Sequence, residues 1–178
     1  MEGMADYKNY NEDHSKKICF KCKNMLNVNL FRVREKKKGR GKGKFIGNVC
    51  RSCEQKMVED YRRTDRGIAA DIVRRLKSVC KKERLAFDLD KDWVFNRLNN
   101  AAWKCELTGL PMSPKGFTKT AGFKWDSIST DRINPNGGYT KDNVRFILNQ
   151  INVFRQNHSD DQMYLLAQAL IDYRGKNE

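Results

Sequence analysis

The sequence has no long apolar run. None of its 178 residues fall in a stretch near the length that spans a membrane, and the N-terminal MEGMADYKNYNEDHSKK lacks the apolar segment of a secretory signal. A soluble, intracellular, cytoplasmic protein is the expectation. Apolar residues are also few overall. With 39% hydrophobic and 33% charged residues, and a mean hydropathy of −0.81, the chain can build one medium core or two small ones, and a structural metal would help it. Histidine is scarcer still: there are two, and only His158 lies in the C-terminal third.

Acidic residues are missing from one region in particular. Between Lys16 and Arg84 there are 23 basic and 7 acidic residues, whereas the remainder carries 13 basic and 15 acidic. The formal net charge of +14 is therefore concentrated in one part of the chain. Such a surface attracts a polyanion and releases its counterions, so double-stranded DNA, or RNA, is the expected partner. A membrane is not, because no basic amphipathic stretch carries an aromatic-rich apolar face.

Residues 1–15 read as a mobile polar tail, followed by a zinc-binding, DNA-contacting segment over 16–64. Cys19-Phe-Lys-Cys22 and Cys50-Arg-Ser-Cys53 are two CxxC pairs. Four thiolates so paired suit tetrahedral Zn²⁺ in a reducing compartment, and they close the coordination shell, so the metal is structural. A zinc ribbon or treble-clef-like segment is expected, with a helix opening at the second pair. Between the pairs, Arg34 to Lys44 reads REKKKGRGKGK. Its residues Arg34, Lys36, Lys37, Lys38, Arg40, Lys42 and Lys44 are suited to tracking phosphates, and Arg51, Lys56, Arg62 and Arg63 extend the basic surface onto the following helix.

A helical connector is expected over 65–104. It comprises a helix with the stripe Ile68, Ile72, Leu76, Val79 and Cys80, then a second capped by Asp90 and running through Val94, Leu98 and Ala102 to near Trp103. Cys80 and Cys105 read as buried apolar residues. Lys115, Lys119 and Lys124 surround a polar loop. From Trp125 the pattern changes: Ser127 to Ile133 and Asn143 to Leu148 read as strands separated by Asn134-Pro135-Asn136-Gly137-Gly138, and Asn149 to Gln156 as a helix with Ile147, Ile151 and Phe154 buried. Ser159-Asp-Asp-Gln162 has capping-box spacing, and Met163, Leu166, Leu170 and Tyr173 make a stripe over 159–178. That stripe is expected to dock on the chain's own core, with homodimerisation as its other use.

Strand, turn, strand and helix, with an acidic residue ending the first strand, resemble the ββα-metal, or HNH, endonucleases over roughly the C-terminal third. In that family the first strand ends in Asp-His, an Asn follows the loop, and a His or Asn stands on the helix nine positions later. Here the matching residues are Asp131-Arg132, Asn143 and Asn152. Where many members place zinc cysteines, this chain has Leu148 and Ile151. STDRINPNGGYTKDNVRFI is similar to an Asp-Arg, Gly-Tyr subgroup of phage and mobile-element type, and Cys105-Glu-Leu-Thr-Gly109 resembles the entry to many such domains.

The resemblance implies an α+β protein whose module over 105–158 hydrolyses DNA phosphodiesters. It also implies Mg²⁺ or Mn²⁺ held by the Asp131 carboxylate and the Asn152 amide. Asn143 would tie the loop. Arg132, which stays protonated, would grip the phosphate rather than act as base. Tyr139 and His158 are the candidates for the base, and His158 faces away if the helix continues past it. The competing readings are a zinc-ribbon DNA-binding protein whose nuclease fold is only a scaffold, and a nuclease that resolves branched DNA.

Overall fold

A computed structural model describes residues 10–36, 43–113 and 124–176. Lys37, Lys38, Arg40, Lys42, Lys115 and Lys119 lie outside them. The chain forms two compact units, Met1–Tyr61 and Arg62–Glu178, whose described residues mix helices with three two-stranded antiparallel sheets.

In the first unit, β1 (Lys16–Ile18) pairs with β2 (Met25–Asn27) around the turn that carries the first CxxC. That turn is tight: Cys19 N donates to Asn24 O at 2.9 Å and Lys23 N to Cys19 O at 2.8 Å, with Lys23 at φ 64°. After a 3₁₀ turn (Val28–Leu30), β3 (Phe31–Lys36) pairs with β4 (Gly43–Cys50). Helix α1 (Arg51–Arg62) starts directly from β4, which places Cys53 in its first turn. Among the described residues the buried apolar cluster of this unit is Cys19, Phe31 and Cys50, backed by Leu26, Ile46, Val49 and Cys53. A core this small does not hold sixty residues together unaided.

The second unit has the larger core. Helix α2 (Asp65–Glu83) is capped by Thr64, which accepts from Gly67 N at 3.1 Å, and ends at Arg84 in the left-handed region. Helix α3 (Lys91–Asn100) is capped by Asp90, as its sequence predicts. It stops two residues short of Ala102, because Ala102 and Trp103 take positive φ. The hairpin follows as β5 (Ile128–Arg132) and β6 (Val144–Leu148), and α4 (Asn149–Arg155) leaves β6 without a break. All five residues of β6 are buried. Alternation puts Val144, Phe146 and Leu148 on one face, where Phe146 meets Trp93 of α3 at 6.4 Å between ring centroids. Ala69 and Ile72 of α2, Val94 and Leu98 of α3, Leu89, Cys105 and Met112 complete this core, and Cys80 is also buried.

Several expected apolar contacts are absent. Val79 and Phe154 are exposed. The expected stripe of Ile147, Ile151 and Phe154 counted a strand residue as if it were helical; once α4 starts at Asn149, its inward residues are Ile151, Asn152 and Arg155. Helix α5 (Asp160–Gly175) has the predicted capping box but no buried residue, so its stripe does not dock on the chain's own core. Among the described residues, no helix is long and apolar enough to cross a membrane.

Candidate active site and metal centre

The connection between β5 and β6 is organised by one side chain. Asn143 Oδ1 accepts from Asn134 N at 2.8 Å, and Asn143 Nδ2 donates to Asn134 O at 3.1 Å and to Gly138 O at 2.8 Å. One short amide thus satisfies three backbone groups that a wide loop would otherwise leave to water. The loop then lies against the α2–α3 link. Tyr139 N donates to Ala86 O at 2.9 Å, and Lys141 N to Asp88 Oδ1 at 2.8 Å. A Cβ on Gly138 would come within 2.3 Å of Ala86 O, so only glycine allows this approach.

Arg132 and Tyr139 meet at the mouth of that loop. Arg132 Nη1 donates to Gly137 O at 2.9 Å, and its Cζ lies 5.2 Å from the centroid of the Tyr139 ring. Both side chains are half-buried. One arm of the guanidinium is fixed and its carbon lies over the Tyr139 ring, which orients the rest of the fork.

Asp131, one residue earlier, points to the other face of β5 and is 4% exposed. Its Oδ2 accepts from Arg145 Nε at 2.8 Å and its Oδ1 from Arg155 Nη1 at 2.9 Å. Arg145 also makes a two-pronged contact with Asp160 at 2.6 and 2.7 Å, and Arg155 Nε reaches Asp160 at 3.2 Å. Arg155 donates further to the carbonyls of Arg132 and Ile133, at 3.3 and 3.1 Å. Two carboxylates and two guanidiniums therefore form a closed quartet. Its hydrogen bond to Arg145 is the main cause that holds Asp160 below the usual carboxylate range. The quartet stands where the sequence predicts a metal ligand. Both Asp131 oxygens face a guanidinium, so the residues as disposed do not fit a divalent cation. Asn152 Nδ2 is bonded to Ser129 Oγ at 2.8 Å, on the same side of the hairpin. Helix α4 ends at Arg155. His158 is exposed three residues later and is not brought to Arg132.

In the first unit, Cys19, Cys22, Cys50 and Cys53 bring their sulfur atoms within 4.8 Å of one another. Tetrahedral Zn–S bonds near 2.3 Å imply S–S spacings of about 3.8 Å, so the donor set fits zinc. Burial pushes the Cys19 thiol up, but backbone N–H groups, with those of Cys22 and Cys50 foremost, outweigh it and bring it to about 6. Cys53 is pushed up to about 12, chiefly by its hydrogen bond with Cys50. Among the basic residues predicted to contact DNA, Lys44, Arg51, Arg62 and Arg63 are exposed. Arg34 shares Glu54 with Arg32, at 2.5 and 2.9 Å, yet stays open to solvent. Lys36 ends β3.

Sequence reasoning missed Arg145, Arg155 and Asp160. A signal was present: Arg145 interrupts the apolar run VRFIL, and in the hairpin register it sits opposite Asp131.

No family model matches the chain, and no curated protein matches it. A solved structure of the rare-cutting HNH restriction endonuclease PacI, described for its mechanism of DNA perturbation, is similar at 20% identity and a TM-score of 0.41, over 89% of this chain and 96% of that one. A likeness at this level leaves the functional reading to the chain's own residues.

Proposed function

We propose that the chain is a DNA endonuclease of HNH type, with a zinc-stabilised basic module that contributes affinity for the duplex. The observation that carries this reading is the loop braced by Asn143, with Arg132 and Tyr139 at its mouth. A guanidinium fixed through one N–H can direct the others at a phosphodiester and stabilise charge on its non-bridging oxygens as it builds. The Tyr139 phenol beside it is the candidate to relay a proton. The excess of positive charge between Lys16 and Arg84 supports DNA as substrate. The resemblance also implies Mg²⁺ or Mn²⁺ at Asp131 and Asn152, and to reach Asp131 a cation would have to displace two guanidinium groups.

One observation favours a second reading. With Asp131 engaged by Arg145 and Arg155, the fold could serve as a non-cleaving scaffold for a DNA-binding protein. Incubating the chain with supercoiled, linear and branched DNA separates the two. Cleavage lost in Arg132→Ala supports the nuclease; binding without cutting on every substrate supports the scaffold.

A further inference from the structure

Two arginines of the first unit converge on one carboxylate. Glu54, in the first turn of α1, has a side chain only 15% exposed and pairs with both, with Arg32 Nε at 2.9 Å and with Arg34 Nη2 at 2.5 Å. The two arginine side chains are themselves 68% and 57% exposed. They stand two positions apart on β3 and so share one face of the β3–β4 ribbon. Phe45, opposite Arg34 across the ladder, lies on that face and is also exposed. Gly47 comes two positions later on β4. A Cβ there would come within 3.3 Å of Arg32 O and 3.5 Å of Arg34 Nε, so the missing side chain leaves Arg34 room to lie across the ribbon.

Attraction to phosphates requires charge alone, and mobile side chains serve it. Pinning two guanidiniums to a mostly buried carboxylate gives up positive charge and gains orientation, which base recognition requires. Arg32 is held at Nε, and its two terminal nitrogens have no partner among the described residues. Those nitrogens form the fork that matches O6 and N7 of a guanine, and an exposed Phe beside them suits a groove floor where thymine methyls project.

We propose that this face of the ribbon enters the major groove of duplex DNA, where Arg32 reads a guanine and Glu54 is the positioning residue that aims it. A two-stranded ribbon fits a groove about 12 Å wide. The major groove of duplex RNA is too narrow for side chains to read, so DNA is the occupant. The first unit thereby supplies sequence choice as well as affinity. The inference rests on the reading of DNA as partner and is independent of cleavage.

Selection of bound duplexes from a randomised pool tests it, using the full, zinc-loaded chain without added Mg²⁺ or Mn²⁺. The wild type is expected to enrich a guanine at one position. Arg32→Lys should weaken that preference by about tenfold or more, while affinity for unselected duplex and its salt dependence stay near wild type, because the charge is kept. An arginine that only met phosphate would be replaced by lysine without effect on base choice. Glu54→Gln should relax the same preference yet bind unselected duplex at least as tightly, since a negative charge is gone. Arg32→Lys should also unfold like the wild type, because Arg32 lies outside the core. Bound duplexes without a guanine preference, or a preference that Arg32→Lys or Glu54→Gln leaves intact, would overturn base reading and leave DNA as the partner. Retention of no duplex at all would overturn the reading of DNA as partner, and this inference with it.

Discussion

Replacing Asp131 by asparagine separates two roles that a loss of cleavage alone would confuse. The amide keeps the shape of the carboxylate but removes its charge, so the quartet goes from neutral to one net positive charge. Arg145 and Arg155 are among the buried residues of the second unit, and Asp160 alone would then face both. Breaking a buried pair by removing one partner costs about 3–5 kcal/mol. For a unit of this size that lowers the midpoint of thermal unfolding by about 10 °C or more. Trp93, Trp103 and Trp125 all belong to the second unit, so tryptophan fluorescence during urea or thermal unfolding reports on it directly. A carboxylate whose task was to wait for a cation would behave in the opposite way, and its removal would leave stability unchanged or improve it. Asp131→Asn with wild-type stability would therefore refute the quartet as a structural clamp.

Further outcomes follow from the same contacts. Asn143→Ala removes three hydrogen bonds from a half-buried loop and should cost about 1–3 kcal/mol; if the loop is what presents Arg132, cleavage should fall further than the stability loss explains. Chelating zinc from the purified chain should unfold the first unit, seen as lost circular dichroism, while the tryptophan signal of the second unit persists; metal analysis finding no zinc in protein prepared without chelator would remove the four-cysteine site. Because Asp160 is depressed in the folded chain, its contribution is present above the unfolded carboxylate pKa near 4 and is lost as pH falls through the lowered value. The stability difference between wild type and Asp160→Asn should therefore narrow between about pH 7 and pH 3, and a gap that stays constant would contradict this ion pairing.

Local rules carried far in this chain. Asp90 and Ser159 announce their helices because a cap satisfies backbone donors within three residues. The two strands and the loop between them follow from alternation and from the Asn-Pro-Asn-Gly-Gly turn. The two CxxC pairs place four sulfurs together because each pair already fixes half of a tetrahedron. Less was legible where a residue's meaning depends on a partner far along the chain. Asp131 reads as a metal ligand until Arg145 across the hairpin and Arg155, 24 residues on, close around it. The stripe on α5 is visible as a pattern, but a pattern does not say whether its own core or another chain covers it. Phe154 illustrates the same limit at short range, since carrying the helical period back to Ile147, which lies on β6, aims Phe154 inward when it points out.

The most direct measurement is cleavage of supercoiled plasmid by the purified chain in Mg²⁺, Mn²⁺ or EDTA, with Arg132→Ala and Tyr139→Phe beside the wild type. The account predicts nicking or linearisation by the wild type and a drop of about 100-fold or more in Arg132→Ala, the scale on which losing a transition-state donor is felt, with the variant's fold intact. Plasmid that stays supercoiled under every condition, though bound by the chain, would contradict the nuclease and leave the scaffold reading in its place.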